Sequence, residues 1–393
     1  VNDRLAGDRP LTIGIDARKI RDFGIGRYLE GLLGAFADGE GGDTFVLFVS
    51  PDPDRGLPPD LDDRLPAARF RRVALDAPLY SLREVFAFRG VGPRHRLDVL
   101  HLPHYLRVLG AGCPVAVTIH DATQLDWASW PARLYARMMM GWAAGAADVR
   151  ITDSRAARDH IARKLAMDPD GFTVIPLGVD DRFRPPDAEA VRAFRSERGL
   201  ERPFVLAVGS HRPHKNLAAA AEGFRCAGLE DAELVVPARD EAAAAALRPL
   251  LYGPDGRNAA GPTATDIDRV RVLMGVSDDD LPRLYAAAQL VLCPSLAEGF
   301  GLAPLEAAAS GAAVLASDIP AHREVLGDAA AFVAAPGGAR EIAASLRDLV
   351  PDGPRRRDLS RRGPELAAVH SWSCAAGRTL DAYRHGSTQP GLR

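Results

Sequence analysis

Apolar residues gather in short runs along the whole chain, and stretches with helical spacing fall between most of them. The runs Leu11–Ile15, Phe45–Ser50, Val99–Pro103, Val115–His120, Val149–Thr152 and Thr173–Pro176 predict a first series of strands. A second series reads Phe204–Val208, Glu233–Val236, Val270–Met274, Leu290–Pro294 and Ala313–Ala316. These runs are continuous rather than alternating, as in parallel strands buried on both faces. Each half therefore reads as a repeated β-α unit, and the fold class as α/β with doubly wound sheets.

The two series part near Asp180–Glu201. Asp180-Asp181-Arg182-Phe183-Arg184-Pro185-Pro186 is charged and proline-rich, and a short polar helix then leads to the strand at Phe204. A second linker is expected through Tyr252–Thr265, rich in Gly, Pro and Asn. The tail Arg384–Arg393 reads as disordered. A chain of 393 residues fits two domains better than one core.

Composition narrows the function classes. Apolar residues make up 47% and charged residues 26%, a globular balance. A net charge of -3 gives no general attraction to nucleic acid or anionic lipid. No apolar run approaches the roughly 18 residues that span a bilayer, and Val1-Asn2-Asp3-Arg4 leads into no signal sequence. Cys113, Cys226, Cys293 and Cys374 are scattered without a CxxC pair, so no metal or disulfide framework is expected and a cytoplasmic location is.

Ligands of open α/β sheets gather where strand ends lead into helices. Four such places hold suggestive chemistry. After the first strand, Gly24 and Gly26 allow close backbone approach, and a helix starting near Gly26 would point N–H groups at an anion; a plain β-α turn is the alternative. The late glycines, with Leu29 in third place, do not fit a dinucleotide fingerprint. His120-Asp121 closes an apolar strand, where a histidine can donate a hydrogen bond or take a proton near neutral pH, or merely cap the strand. Gly209-Ser210-His211-Arg212-Pro213-His214-Lys215-Asn216 closes the first strand of the second half. Lys215 suits a phosphate and Arg212 can fork onto one.

The fourth place is Glu298-Gly299-Phe300-Gly301-Leu302-Ala303-Pro304-Leu305-Glu306. Its glycines leave N–H groups open to an oxyanion beside a helix start. Its two acids can hold two parts of an elongated ligand. A helix dipole alone would explain Glu306 in a first turn, but not the glycine-flanked Glu298. A weaker segment is Met274–Val276, at a strand end where backbone groups can read a flat base, after which Ser277 or Asp278 caps a helix.

One further stretch is open to two readings. Trp127, Trp130, Tyr135, Met138, Met139, Met140 and Trp142 lie beside Arg133 and Arg137. Apolar stripes of this kind usually serve the core, so packing on its own domain is the first expectation. Contact with a lipid-linked or aromatic acceptor, or peripheral contact with a membrane, is the other.

Taken together, these segments resemble family 4 of the retaining glycosyltransferases, of GT-B fold, over nearly the whole chain, with the look of its bacterial mannosyltransferases. Glu298 to Glu306 matches the family's acid, seven residues, acid signature. Gly209 through Asn216 is similar to its Gly…Arg-Lys-Asn segment. Gly275-Val276-Ser277-Asp278, Gly24-Ile25-Gly26-Arg27-Tyr28 and Pro176-Leu177-Gly178-Val179-Asp180 match three further loops in the right order. The resemblance implies two Rossmann-like domains facing a cleft: an acceptor-binding domain at 1–185 and a nucleotide-sugar domain at 186–370. It also implies a helix in 371–393 that crosses back to the first domain, anchored by Trp372.

The residue roles follow from the same resemblance. Lys215 would contact the diphosphate, Glu306 the ribose and Glu298 the donor sugar. Gly299, Phe300, Gly301 and Leu302 would line the sugar and phosphate site through their backbones. Gly26, Gly209, Ser210, Arg212, Met274 and Val276 would complete the donor site. Gly24, Gly26, Arg27, His120 and Asp121 would serve the acceptor side, with His120 also facing the donor sugar. The sequence departs from the family pattern at His214, where an arginine is usual, and at Ser210, where some members carry a second one.

The implied reaction moves a sugar from a nucleoside diphosphate sugar to a hydroxyl of a glycan, lipid-linked or small-molecule acceptor. A GDP-mannose-type donor is expected before a UDP-sugar. No cofactor is expected, and fixed cations would replace a metal. A nucleotide-sugar epimerase or phosphorylase of the same fold, and a non-catalytic sugar-nucleotide or glycan binder, are the alternatives.

Overall fold

The computed structural model describes residues 9–79, 81–253, 269–335 and 338–386. Most of the expected linker at 252–265 and of the tail at 384–393 lies outside them. The chain divides into two compact units, one of residues up to Gly178 together with Ser371 onward, the other of Val179–His370.

The first unit carries β1 (Thr12–Asp16), β2 (Thr44–Val49), β3 (Phe70–Ala74), β4 (Val99–Leu102), β5 (Val115–Thr118), β6 (Val149–Thr152) and β7 (Thr173–Val174). They form a parallel sheet in the order β3-β2-β1-β4-β5-β6-β7. The second unit carries β8 (Phe204–Ala207), β9 (Glu233–Ala238), β10 (Val270–Met274), β11 (Leu290–Cys293), β12 (Val314–Asp318) and β13 (Ala331–Ala334). Their order is β10-β9-β8-β11-β12-β13, again parallel throughout. The central strands β4, β8 and β11 are buried at every residue, the reason their sequences run apolar without alternation.

Two strands were not legible as apolar runs, and both are sheet edges. β3 reads Phe-Arg-Arg-Val-Ala, with only Phe70 buried. Arg72 lies back along the edge, where it donates to the Phe70 and Leu65 carbonyls and to Asp62. β13 reads Ala-Phe-Val-Ala and pairs with β12 alone. An edge strand needs fewer large apolar side chains and gains from charge.

The last helix, Trp372–Gly386, packs on Phe23–Asp38, the helix that follows β1. Its first residue, Trp372, lies where Gly31 leaves room: a Cβ there would stand 2.1 Å from the indole. Near its other end Tyr383 is fully buried, and its hydroxyl shares a 2.7 Å hydrogen bond with His101 Nδ1.

Helix Trp130–Ala146 turns out inverted. Its buried residues are Ala136, Met140, Ala143 and Ala144. Trp130, Leu134, Tyr135, Met138 and Trp142 are exposed instead. Small residues let this helix sit close to its unit, so most of the apolar stripe expected to serve the core faces solvent.

Candidate functional site

In the second unit the winding reverses between β8 and β11. Loops leaving these neighbouring strands run apart, the place where open α/β sheets take ligands. The β8 loop begins at Val208, whose N–H donates to the Leu292 carbonyl at 3.0 Å. A Cβ on Gly209 would stand 3.0 Å from Cβ of Lys215, so the glycine lets the loop fold back on itself. A short turn, Pro213–Lys215, follows, and Asn216 at φ 54° swings the chain into helix Leu217–Ala227. The Leu296 N–H donates to the His214 carbonyl at 2.7 Å and ties this loop to the one after β11.

That tie brings two side chains together from 83 residues apart. Lys215 Nζ donates to Glu298 Oε1 at 2.5 Å. Their side chains keep 24% and 16% of their surface, so solvent reaches the pair. Burial pushes the Glu298 carboxyl up, but Lys215, His322 and a hydrogen bond from Ser295 outweigh it and hold it below the usual carboxylate range. Arg212 is exposed and makes no ion pair with any described residue; Ser210 is half-buried.

Gly301, at φ 99°, caps helix Leu302–Ala309. A Cβ there would meet the His322 ring at 3.0 Å, so both conformation and space demand glycine. Gly299 is buried, and Phe300 is buried with its ring edge-on to His370. Glu306 is the fifth residue of this helix and not in its first turn, which removes the helix-dipole explanation. It is 5% exposed, and the buried Tyr285 hydroxyl donates to it at 3.4 Å. Cys293, beneath the loop, is pushed up to about 12 by burial and then by Glu298, with Lys215 opposing and Glu306 adding. That one thiol senses all three charges.

At the end of β10, Met274 is exposed and Val276 is buried, its N–H donated to the Ala238 carbonyl at 3.3 Å. The cap of the next helix, Leu281–Ala287, is Asp280. Asp280 donates its N–H to Ser277 Oγ at 3.2 Å, while its carboxylate takes Arg198 and Arg283. Ser277 thus holds the turn, and Asp278 does not cap the helix.

In the first unit the helix after β1 begins at Phe23 rather than near Gly26. The Gly26 N–H is donated to the Asp22 carbonyl, and a Cβ on Gly26 would stand 2.3 Å from the Ile20 carbonyl. Gly26 therefore serves the tight entry of the helix, and its N–H is not offered to an anion. Gly24 is exposed with open space around it, and Arg27 is half-buried.

His120 follows β5. Its Nδ1 lies 2.8 Å from Asp153 Oδ2 and its Nε2 3.1 Å from the Pro103 carbonyl. The Pro103 carbonyl can only accept, so Nε2 donates; with Asp153 ionised, Nδ1 donates as well and the ring is then an imidazolium. Burial pulls its pKa down, but Asp153, Asp121 and Pro103 outweigh that and raise it. On Asp153 burial prevails and raises the carboxyl. The Tyr28 ring stands edge-on to His120 at 4.9 Å, and the Tyr28 hydroxyl shares Thr118 Oγ1 with His101. Asp121 is taken up locally, accepting from the Thr123 N–H at 2.8 Å and hydroxyl at 2.6 Å.

Sequence reasoning missed a cluster at the first unit's own reversal point, between β1 and β4. Arg18 donates to both Asp16 oxygens and, at 2.9 Å, to Glu84; His104 lies 3.8 Å from Glu84, and all four are buried. Asp16, Glu84 and His104 are the one group of described residues with the spacing of metal ligands. The Arg18 guanidinium already spans the two carboxylates.

The profile described as Glycosyltransferase Family 4 matches residues 24–183, and that described as Glycosyl transferases group 1 matches residues 192–366. A D-inositol 3-phosphate glycosyltransferase of Salinispora tropica is 34% identical over 257 residues, 60% of this chain and 51% of that protein. The chain thus spans about half the length of that relative. An MMP alpha-(1->4)-mannosyltransferase of Mycolicibacterium hassiacum is 29% identical, over 74% of this chain and 71% of its own. Among solved structures, a sucrose-phosphate synthase of Thermosynechococcus elongatus superposes with a TM-score of 0.75 at 20% identity, covering 96% and 99% of the two chains.

Proposed function

The chain belongs to family 4 of the glycosyltransferases, with the GT-B fold, and from this we propose that it moves a sugar from a nucleoside diphosphate sugar to a hydroxyl, with retention at the anomeric carbon. The observation that carries the proposal is the Lys215–Glu298 pair, solvent-reachable at the reversal point of the second sheet, with Glu306 buried behind it.

The second unit takes the donor. Lys215 has N–H groups beyond the one on Glu298, and they meet the diphosphate together with Arg212, the N–H groups of Gly299 and Gly301 and the start of helix Leu302–Ala309. Glu298 accepts from hydroxyls of the donor sugar and Glu306 from the ribose. Backbone groups at Met274 and the Val276 carbonyl meet the base. As the glycosyl bond breaks, charge grows on the leaving diphosphate, and these fixed donors stabilise it without reorganising. In this reading the cations do the work of a metal, and no cofactor takes part.

The first unit takes the acceptor, with His120 on that side. With both ring nitrogens engaged, by Asp153 and by the Pro103 carbonyl, His120 is poorly placed to take the acceptor's proton. The acceptor hydroxyl's proton therefore passes to the departing phosphate oxygen while its oxygen forms the new bond to the anomeric carbon. A mannosyl donor is favoured by the mannosyltransferase among the relatives, and a UDP-sugar comes next. The test is a thermal-shift series with GDP-mannose, UDP-glucose, TDP- and ADP-sugars, followed by product analysis with and without acceptor. One donor is expected to raise the melting point by mass action and to be consumed only when an acceptor is present. No shift from any donor, or conversion of the donor alone, would overturn the proposal.

A further inference from the structure

Helix Trp130–Ala146 presents an apolar face that its own unit leaves largely uncovered, although the Arg107 guanidinium stands 5.8 Å over the Trp142 ring. Trp130, Leu134, Met138 and Trp142 recur at every fourth residue and so form one row along the helix. Trp130 is 69% exposed, Met138 59% and Leu134 57%. Tyr135 borders the row, and Trp127 from the preceding short helix is exposed as well. A single exposed Leu or Met means little, but a contiguous row of large apolar side chains marks a contact surface.

The charges say what kind of contact. The only charged residues of the helix are Arg133 and Arg137, both exposed, and neither pairs with a described residue. They lie one turn apart and flank the apolar row. The row has an indole at each end, about 18 Å apart at the rise of an α-helix, with Leu134 and Met138 between. Indoles suit the headgroup level, aliphatic chains the acyl boundary, and arginines the phosphates. The chain as a whole carries a net charge of -3, so any pull toward an anionic surface is local. Among the described residues no helix is long and apolar enough to cross a membrane, which leaves this helix to lie along one.

We propose that the exposed face of helix Trp130–Ala146 docks the protein on an anionic bilayer surface. The aromatic and aliphatic row enters the interface, and Arg133 and Arg137 meet lipid phosphates.

The test is co-sedimentation of the full chain with phosphatidylcholine vesicles and with vesicles that also hold phosphatidylglycerol. Binding is expected to the anionic vesicles, to weaken as salt is added, and to be slight on the neutral ones. Replacing both arginines (Arg133→Glu with Arg137→Glu) is expected to weaken binding by roughly 25-fold or more, taking about five-fold per lost cation. Replacing Leu134→Glu with Met138→Glu is expected to abolish it. Both pairs are exposed, so the unfolding midpoint in urea should not move. Protein that stays in the supernatant with anionic vesicles, or that binds both vesicle types equally, would overturn the proposal. So would a concentration-dependent dimer on size exclusion that Leu134→Glu with Met138→Glu dissolves, because a second copy would then be the occupant.

Discussion

The two sheets reverse their winding at equivalent places, between β1 and β4 and between β8 and β11, and each place holds an ionic cluster. The clusters differ in access. In the first unit Arg18, Asp16, Glu84 and His104 are all buried, and the guanidinium is spent on its two carboxylates. In the second, Lys215 and Glu298 form one pair with surface to spare. Topology supplies a crevice in both cases, but only the second is reached by solvent; the first is buried, with His104 Nδ1 left without a hydrogen-bond partner among the described residues. The first uses its charges to fix the loops that follow its strands. A reversal point is therefore a place for a site, and access to its polar groups decides whether it is one.

Single substitutions separate the two roles. Arg18→Ala would leave two carboxylates buried without their cation, and removing one partner of such a set costs about 3–5 kcal/mol. Lys215→Ala, at a pair that keeps part of its surface, should cost less, about 1–3 kcal/mol. Urea denaturation of both variants measures the contrast. Equal losses would erase the distinction between a structural and a binding cluster.

A smaller effect comes from pH. The Glu298 carboxyl is depressed, so its pair with Lys215 contributes above the ordinary carboxylate value, about 4.3, and is lost as pH falls through the depressed value. The His120 imidazolium is raised, so its bonds to Asp153 and Pro103 contribute in full below about 6.5 and fade as pH rises through the raised value. Wild type should therefore lose melting temperature on the alkaline side more steeply than His120→Asn. Parallel curves would show that the ring is neutral throughout.

Much of this was legible in the chain, for identifiable reasons. Strands buried on both faces must run apolar, and β1, β4, β8 and β11 could be read from that alone. The Glu298–Glu306 segment was legible in part because one of its glycines is a local necessity: Gly301 sits at φ 99° against the His322 ring. Features assembled by topology left no such trace. Arg18 and Glu84 lie 66 residues apart, and nothing in either segment announces the other. Asp153 went unnoticed for the same reason, yet it holds the His120 ring at 2.8 Å and favours its charged form. Periodicity marked the stripe on helix Trp130–Ala146 but not which way it faces. Four small or flexible residues on the opposite side decided that, because they let the backbone approach closely.

The central claim is that Lys215 stabilises a leaving diphosphate rather than merely holding Glu298. Steady-state turnover of Lys215→Ala with the donor found in the thermal-shift series tests it most directly, with the urea midpoint measured alongside. The account predicts a fall in kcat of roughly 10²-fold or more, the cost of losing one oxyanion donor, in a variant that remains folded. Wild-type turnover in that variant would contradict it.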